Sequence, residues 1–255
     1  MSTAAGSIRV GVGGWTFEPW RQTFYPQGLS HSRELHHMSR QVTAVEVNGT
    51  FYSTFGPSTF AKWRDETPDG FRFALKAHRS TTNRRELGTA GEAIERFLGS
   101  GVVELRDKLG PILWQFMPTK KFDAIDFEAF VRLLPRELEG RPLQHVLDLR
   151  HPTFEVPEAL AITRRHGCVV VHTDSPKYPN IVDEQGPFAY LRLMRSEPER
   201  ATGYPPEALD DWATGARAWT ARGRDAWVFF INGAKERAPG AAVEFLRRCA
   251  LARQE

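Results

Sequence analysis

The sequence predicts a (β/α)8 barrel of the TIM type, a closed cylinder of parallel strands ringed by helices. Three observations predict it. The chain has 255 residues, close to the length of roughly 250 that one such barrel takes. Short β-branched or apolar runs alternate with segments of helical period along the whole length, which implies parallel pairing through right-handed crossovers. The runs begin apolar and end in polar side chains, the pattern of a barrel whose site lies at the carboxyl ends of its strands.

Taken in order, Ile8 to Val12 is the first strand and ends in Gly13-Gly14-Trp15, where glycine permits a tight turn. An aromatic loop follows (Trp15, Phe17, Trp20, Phe24, Tyr25), then Ser30 as N-cap of a helix carrying Leu35 and Met38. The second strand is Ala44 to Asn48. Pro57-Ser58 opens a helix with Phe60 and Trp63 on its inner face, and Thr67-Pro68-Asp69-Gly70 is turn chemistry. Phe71 to Lys76 is the third strand. Thr89-Ala90-Gly91-Glu92 reads as a capping box before Ile94, Phe97, Leu98, Leu105 and Leu109 at helical spacing.

Pro111 to Phe116 is the fourth strand, and Asp123 caps a helix with Phe127, Phe130, Val131 and Leu134. Leu143 to Leu149 is the fifth strand; Pro157 suits the first turn of the next helix and Gly167 its end. Cys168 to His172 is the sixth strand and Phe188 to Leu193 the seventh. Between them Ser175 to Pro187 shows no helical period, so the sixth helix is expected to be missing or irregular. Leu209, Trp212, Ala213, Ala216 and Trp219 mark an amphipathic helix, Ala226 to Ile231 the eighth strand, and Ala242, Phe245, Leu246 and Cys249 a final helix. An open doubly wound sheet is the alternative, but Gly11-Val12-Gly13-Gly14 lacks the G-x-G-x-x-G frame of its nucleotide turn. Residues 1–7 are expected to be a loose tail and residues 8–255 a single barrel domain.

Composition narrows the function classes. Hydrophobic residues make up 41% and charged ones 25%, near the soluble average, with no apolar run long enough to span a bilayer. The first residues lack the basic and apolar regions of a secretory signal, so a cytoplasmic protein without membrane partners is expected. Cys168 and Cys249 stand outside any metal-ligand spacing and read as buried thiols. A net charge of +3 and a pI near 9.0 suit a small anionic ligand and admit nucleic acid, but fall short of the dense basic stripe of a dedicated nucleic-acid binder.

The strand ends carry the candidate site. Round the rim stand Glu46 and Asn48, Lys76 and His78, Gln115, Asp148 and Arg150, His172 and Asp174, Arg192, and Asn232. Glu46 and Asp148 are the acid/base candidates, set against a structural role as ion-pair partners. Lys76 is read as an anion contact or a low-pKa amine, against a structural ion pair. Asn48, Gln115, Arg150, Asp174, Arg192 and Asn232 are read as ligand contacts, and Trp15 and Tyr52 as aromatic walls, against packing under loops. His172 and Asp174 as metal ligands are set against a hydrogen-bonded core and cap pair. Counted as a ring, Glu46, Asp148 and Asp174 balance Lys76, Arg150 and Arg192. A divalent metal site gathers excess carboxylate and imidazole, so an anion is the leading reading and a divalent metal the minority one; no cofactor is predicted.

The same residues carry a resemblance. Gly13-Gly14-Trp15 with Trp20 and Phe24-Tyr25-Pro26, the run Glu46-Val47-Asn48-Gly49-Thr50-Phe51-Tyr52, Trp63, Phe73-Ala74-Leu75-Lys76, Gln115-Phe116-Met117-Pro118 and Leu149-Arg150-His151 resemble the DUF72 family, also called YecE-like. The resemblance implies a TIM-barrel-like fold related in shape to metal-dependent barrels such as endonuclease IV and xylose isomerase, with no settled activity. Against the family pattern the chain has Asp148 for Glu, Thr153-Phe154 for Ser-Trp, Thr82-Asn83 for Thr-His, Met194-Arg195 for His-Gly, and Asn232 alone for an Asn pair. Two histidines and an amide of the family rim are thus absent.

Three functions follow as expectations. The first is an enzyme, with hydrolase or lyase chemistry on carboxylate acid/base groups, that binds a small phosphate- or carboxylate-bearing ligand at the barrel mouth. The second is a metal-dependent phosphodiesterase or nuclease. The third is a non-catalytic ligand-binding protein.

Overall fold

The computed structural model describes residues 5–251. Eight strands, β1 (Ile8–Gly13), β2 (Ala44–Val47), β3 (Arg72–Lys76), β4 (Leu109–Gln115), β5 (His145–Asp148), β6 (Val169–Thr173), β7 (Ala189–Leu193) and β8 (Ala226–Phe230), close in sequence order into a parallel barrel. Closure is carried by β1, where Val12 lies beside Val45 of β2 on one side and Phe230 of β8 on the other. Every strand falls within two residues of its expected bounds.

The outer layer is α1 (Glu34–Met38), α2 (Pro57–Glu66), α3 (Gly91–Leu98), α4 (Ala124–Arg132), α5 (Pro157–Arg165), α6 (Pro206–Ala221) and α7 (Ala238–Leu251). No helix stands between Thr173 and Ala189, as the missing period in that stretch predicts. Asp123 caps α4 by accepting from Asp126 N–H, and Pro157 occupies the first turn of α5. Gly167 follows α5 at φ +70°, the left-handed conformation glycine adopts without strain.

Several local expectations need correction. Thr89 caps nothing: it ends a 3-10 turn, Leu87–Thr89, and its hydroxyl donates to Glu86 O. The helix after it stops at Leu98 because Gly101 turns left-handed at φ 108°; Leu105 falls in a kinked 3-10 stretch and Leu109 already begins β4. Ser30 makes no side-chain cap, and α1 is instead entered through the 3-10 turn His31–Arg33. A two-stranded antiparallel pair, Glu137–Leu138 with Arg141–Pro142, and the short helices Trp20–Thr23 and Gly49–Tyr52 were not expected. Of the expected tail, residues 1–4 lie outside the described residues, whereas Gly6 N–H donates to Thr220 O and Ser7 N–H to Asp225. Residues 252–255 also lie outside.

Two apolar layers share the strands by period-two alternation. Val10, Val12, Val45, Phe73, Leu75, Trp114 and Leu147 pack outward against the helices. Ala44, Ala74, Leu113, Val146, Val169, Val171, Tyr190, Trp227 and Phe229 fill the cylinder. Trp227 plugs its lower part, and Gly110 makes room for it: a Cβ there would stand 2.8 Å from the indole ring. With the base sealed by indole and branched side chains, the polar residues are left to the upper end.

Candidate functional site

Parity builds the site. Glu46 lies two residues after Ala44, Lys76 after Ala74, Gln115 after Leu113, Asp148 after Val146 and Arg192 after Tyr190, and the first member of each pair belongs to the inner core. The second therefore points inward one layer higher, at the carboxyl ends of five strands.

Arg192 is the hub. Its Nε and Nη2 donate to Glu46 Oε2 and Oε1, both at 3.0 Å, and its Nη1 donates to Asp148 Oδ2 at 2.7 Å. Tyr190 donates its hydroxyl to Glu46 Oε2 at 2.8 Å, and Arg150 Nε donates to Asp148 Oδ2 at 3.0 Å. Glu46 is wholly buried, Arg192 and Asp148 nearly so. Burial by itself would lower the Arg192 pKa, but the charges of Glu46 and Asp148 outweigh it and drive the value up, so the guanidinium stays charged. Burial first, then the Glu46 charge, holds the Tyr190 phenol far above its ordinary range and protonated. A bidentate fork closed by further donors is the geometry in which a buried ion pair can meet its desolvation cost.

Above this network lies a cavity of about 340 Å³. Its walls include Lys76, Arg150, Arg192 and Lys235 together with Asn48, Tyr52, Gln115 and Asn232, and no carboxylate. Glu46 and Asp148 sit behind Arg192 rather than on the wall, so four cations face the cavity with two carboxylates beneath them. The balanced ring expected from the sequence is thus replaced by a net positive one.

Lys76 differs from the other cations. It is 6% exposed, its Nζ has no hydrogen-bond or ion-pair partner among the described residues, and it stands 4.1 Å from the Phe51 ring centroid. Burial first, and then the Arg192 charge, lower its pKa to about 8. Its strand end is fixed, because the Thr50 hydroxyl lies 2.7 Å from Lys76 O. Gln115 beside it buries an Oε1 atom with no partner among the described residues. Arg150 lies 4.3 Å from the centroid of Tyr178, and Lys235 lies 4.2 Å from that of Phe17, with its pKa lowered by burial.

The remaining sequence candidates divide between the cavity and its surroundings. Tyr52 is 65% exposed at the rim of the cavity. Asn232 follows β8 at φ +66°, a left-handed conformation that asparagine tolerates better than most residues. Trp15 lines an adjoining hollow of about 310 Å³ with Phe55 and Trp63, which shares Gly13, Asn48 and Lys235 with the cationic cavity. Asp174 is a correction: it is not on the cavity wall, and its carboxylate accepts from Met194 N–H at Oδ1 and from the Tyr204 hydroxyl at Oδ2. His172 shares its parity and packs between Trp212 and Trp219 of α6, at ring distances of 5.2 and 5.8 Å. Because Val169 and Val171 fill the barrel, residue 172 points out of it.

Lys235 was missed by sequence reasoning. It lies in a 3-10 turn, Lys235–Arg237, beyond the end of β8, outside the strand-end window, and its only signal was a cation in the short link between β8 and α7. A divalent metal does not suit the donors present: among the described residues no group of three or more His, Cys, Asp or Glu converges, and both mouth carboxylates are engaged by arginine.

The family model described as "Protein of unknown function DUF72" matches residues 9–255. The chain belongs to the DUF72 family. Among its relatives, this DUF72 protein is 27% identical over 116 residues to the UPF0759 protein YunF of Bacillus subtilis and 25% identical over 150 residues to the UPF0759 protein YecE of Escherichia coli. Those matches take in 44% and 58% of this chain but only 40% and 50% of YunF and YecE. A DUF72 family protein from Thermotoga maritima superposes with a TM-score of 0.74 at 25% identity, over 94% of this chain and 98% of that one. D-allulose 3-epimerase from Methylomonas sp. shares the fold alone, with a TM-score of 0.50 at 9% identity over 97% of this chain and 99% of that one.

Proposed function

We propose that the barrel mouth is a binding and reaction site for a small anion bearing a carboxylate or phosphate group. The observation that carries this reading is the cavity wall itself, with four cations and no carboxylate. A half-enclosed cleft lined by one sign of charge concentrates the opposite charge, and a guanidinium binds carboxylate or phosphate through paired donors. Arg150 and Lys235 stand at the wall as the accessible cations. Glu46 and Asp148 act as positioning residues, since both are held by Arg192 and neither faces the cavity. A larger anion carrying a ring would place that ring in the adjoining hollow against Trp15, Phe55 and Trp63.

Calorimetric titration with inorganic phosphate and with oxalate tests the reading. Both anions are expected to bind the wild-type protein, and Arg150→Ala and Lys235→Ala each to weaken binding about tenfold or more, the value of one charge-assisted hydrogen bond. Unchanged thermal unfolding of the two variants shows that the loss is local. No binding to the wild type, or full affinity in both variants, overturns it.

A further inference from the structure

Most buried charges at the mouth are saturated, and one is not. Arg192 spends its donors on Glu46 and Asp148, while Lys76, in the same layer and almost as deeply buried, gives Nζ to no acceptor among the described residues. The nearby carboxylates do not serve it: Glu46 and Asp148 pair with the arginines, and neither forms an ion pair with Nζ. On one side Nζ meets the face of Phe51, and Lys76 also lines the cavity. A lysine left in this state costs the fold stability without returning an ion pair. A desolvated lysine beside other cations is the environment in which an amine becomes a nucleophile at neutral pH.

We infer that Lys76 is a catalytic amine that forms an imine with a 2-oxo acid, whose carboxylate is held by Arg150 and Lys235. This rests on the anion-site reading above and adds the chemistry to it. The lone pair of Nζ attacks the ketone carbon, forming a C–N bond as the carbonyl π bond opens. In the resulting carbinolamine both amine hydrogens pass to the oxygen, the C–O bond breaks, and water leaves as C=N closes. The neutral amine plus the ketone thus gives the imine plus one water, with no oxidant or reductant. Gln115 Oε1, buried and without a partner, can accept the carbinolamine hydroxyl in this step. The protonated imine then draws electrons from the adjacent carbon, the common property of enzymes that form Schiff bases with carbonyl substrates. The lowered pKa of Lys76, about 8, keeps a usable fraction of its amine unprotonated near neutrality.

The experiment is reductive trapping. The full chain is incubated with pyruvate and cyanoborohydride, digested, and mapped by mass spectrometry; acetone, which lacks the carboxylate, serves as the comparison probe. The reduced adduct is expected on Lys76 above every other lysine, faster with pyruvate than with acetone by about tenfold or more. Its rate should rise as pH passes upward through about 8. Lys76→Met should abolish the adduct while the variant still unfolds in one cooperative transition. Arg150→Ala should bring the pyruvate rate down toward that of acetone. If oxalate binds the wild type but pyruvate traps no lysine, or traps surface lysines and Lys76 alike, the imine inference falls and the anion site stands. If neither oxalate binding nor trapping is seen, both fall.

Discussion

Arg192 and Lys76 occupy one layer of one barrel and are opposites. Arg192 makes three hydrogen bonds to Glu46 and Asp148 at or below 3.0 Å, whereas Lys76 has an aromatic face and an open cavity. Burial acts on both pKa values in the same downward direction; the neighbours decide the outcome, raising one and leaving the other at about 8. The contrast separates scaffold from reagent. A charge whose three nitrogens are each paired fixes geometry, and a charge left unmatched stores free energy for a ligand to release.

The largest break in that contrast is removal of the hub. Arg192→Met leaves Glu46 buried without a cation and Asp148 with Arg150 alone, and breaking a buried pair in this way costs about 3–5 kcal/mol. Urea denaturation should show that loss at neutral pH. A loss below about 1 kcal/mol would mean the network is solvated and that its saturation does not organise the mouth.

Lys76→Met should move stability the other way. The folded pKa of Lys76, about 8, lies below its unfolded value of 10.5, so the unfolded chain holds the proton more tightly between those two values. Wild-type stability therefore gains nothing from this group below about pH 8, rises from there to about pH 10.5, and levels off above. Methionine fills the same space without the charge, so at pH 7 the variant is expected to be more stable by about 3 kcal/mol, a gap that closes by pH 10.5. A variant less stable than wild type at pH 7 would show that the amine has a partner after all.

A smaller acid-side effect belongs to the outer layer. His145 accepts from the Trp114 indole at Nδ1, 3.1 Å away, so its Nε2 must donate to Pro135 O at 2.7 Å, and the ring is neutral. Burial lowers its pKa below 6.5. The unfolded chain then takes up the proton first as pH falls, and the His145 contribution to stability is lost from about pH 6.5 downward. His145→Gln should flatten the stability profile below that pH, at a cost of about 1 kcal/mol at neutrality for poorer packing.

How much of this was legible in the sequence follows from where parity was readable. On β2, β3, β4, β5 and β7 a small or apolar inward residue precedes the polar one by two, so Glu46, Lys76, Gln115, Asp148 and Arg192 declared their direction. β6 is apolar on both faces, Val169-Val170-Val171, because the helices cover one side and the cylinder the other. Such a strand carries no parity signal, and Asp174 was assigned to the mouth when its carboxylate belongs to Met194 and Tyr204. The strand bounds were readable from apolar runs, but Leu105 was drawn into a helix by spacing alone, because the left-handed Gly101 that breaks it leaves no mark on hydrophobic period. Lys235 was invisible for a different reason: loop residues reach a cavity by chain path, which periodicity does not encode.

The smallest effect tests that parity argument. In Asp174→Asn one oxygen remains to accept from both the Met194 N–H and the Tyr204 hydroxyl, and an amide NH₂ replaces the other. One of the two hydrogen bonds is lost, for about 1 kcal/mol of stability. Because Asp174 is not on the cavity wall, phosphate and oxalate should bind the variant as they bind the wild type. A carboxylate standing in the ring would instead repel an incoming anion, and its neutralisation would tighten binding. Tighter binding in Asp174→Asn would therefore return Asp174 to the mouth and restore the balanced ring.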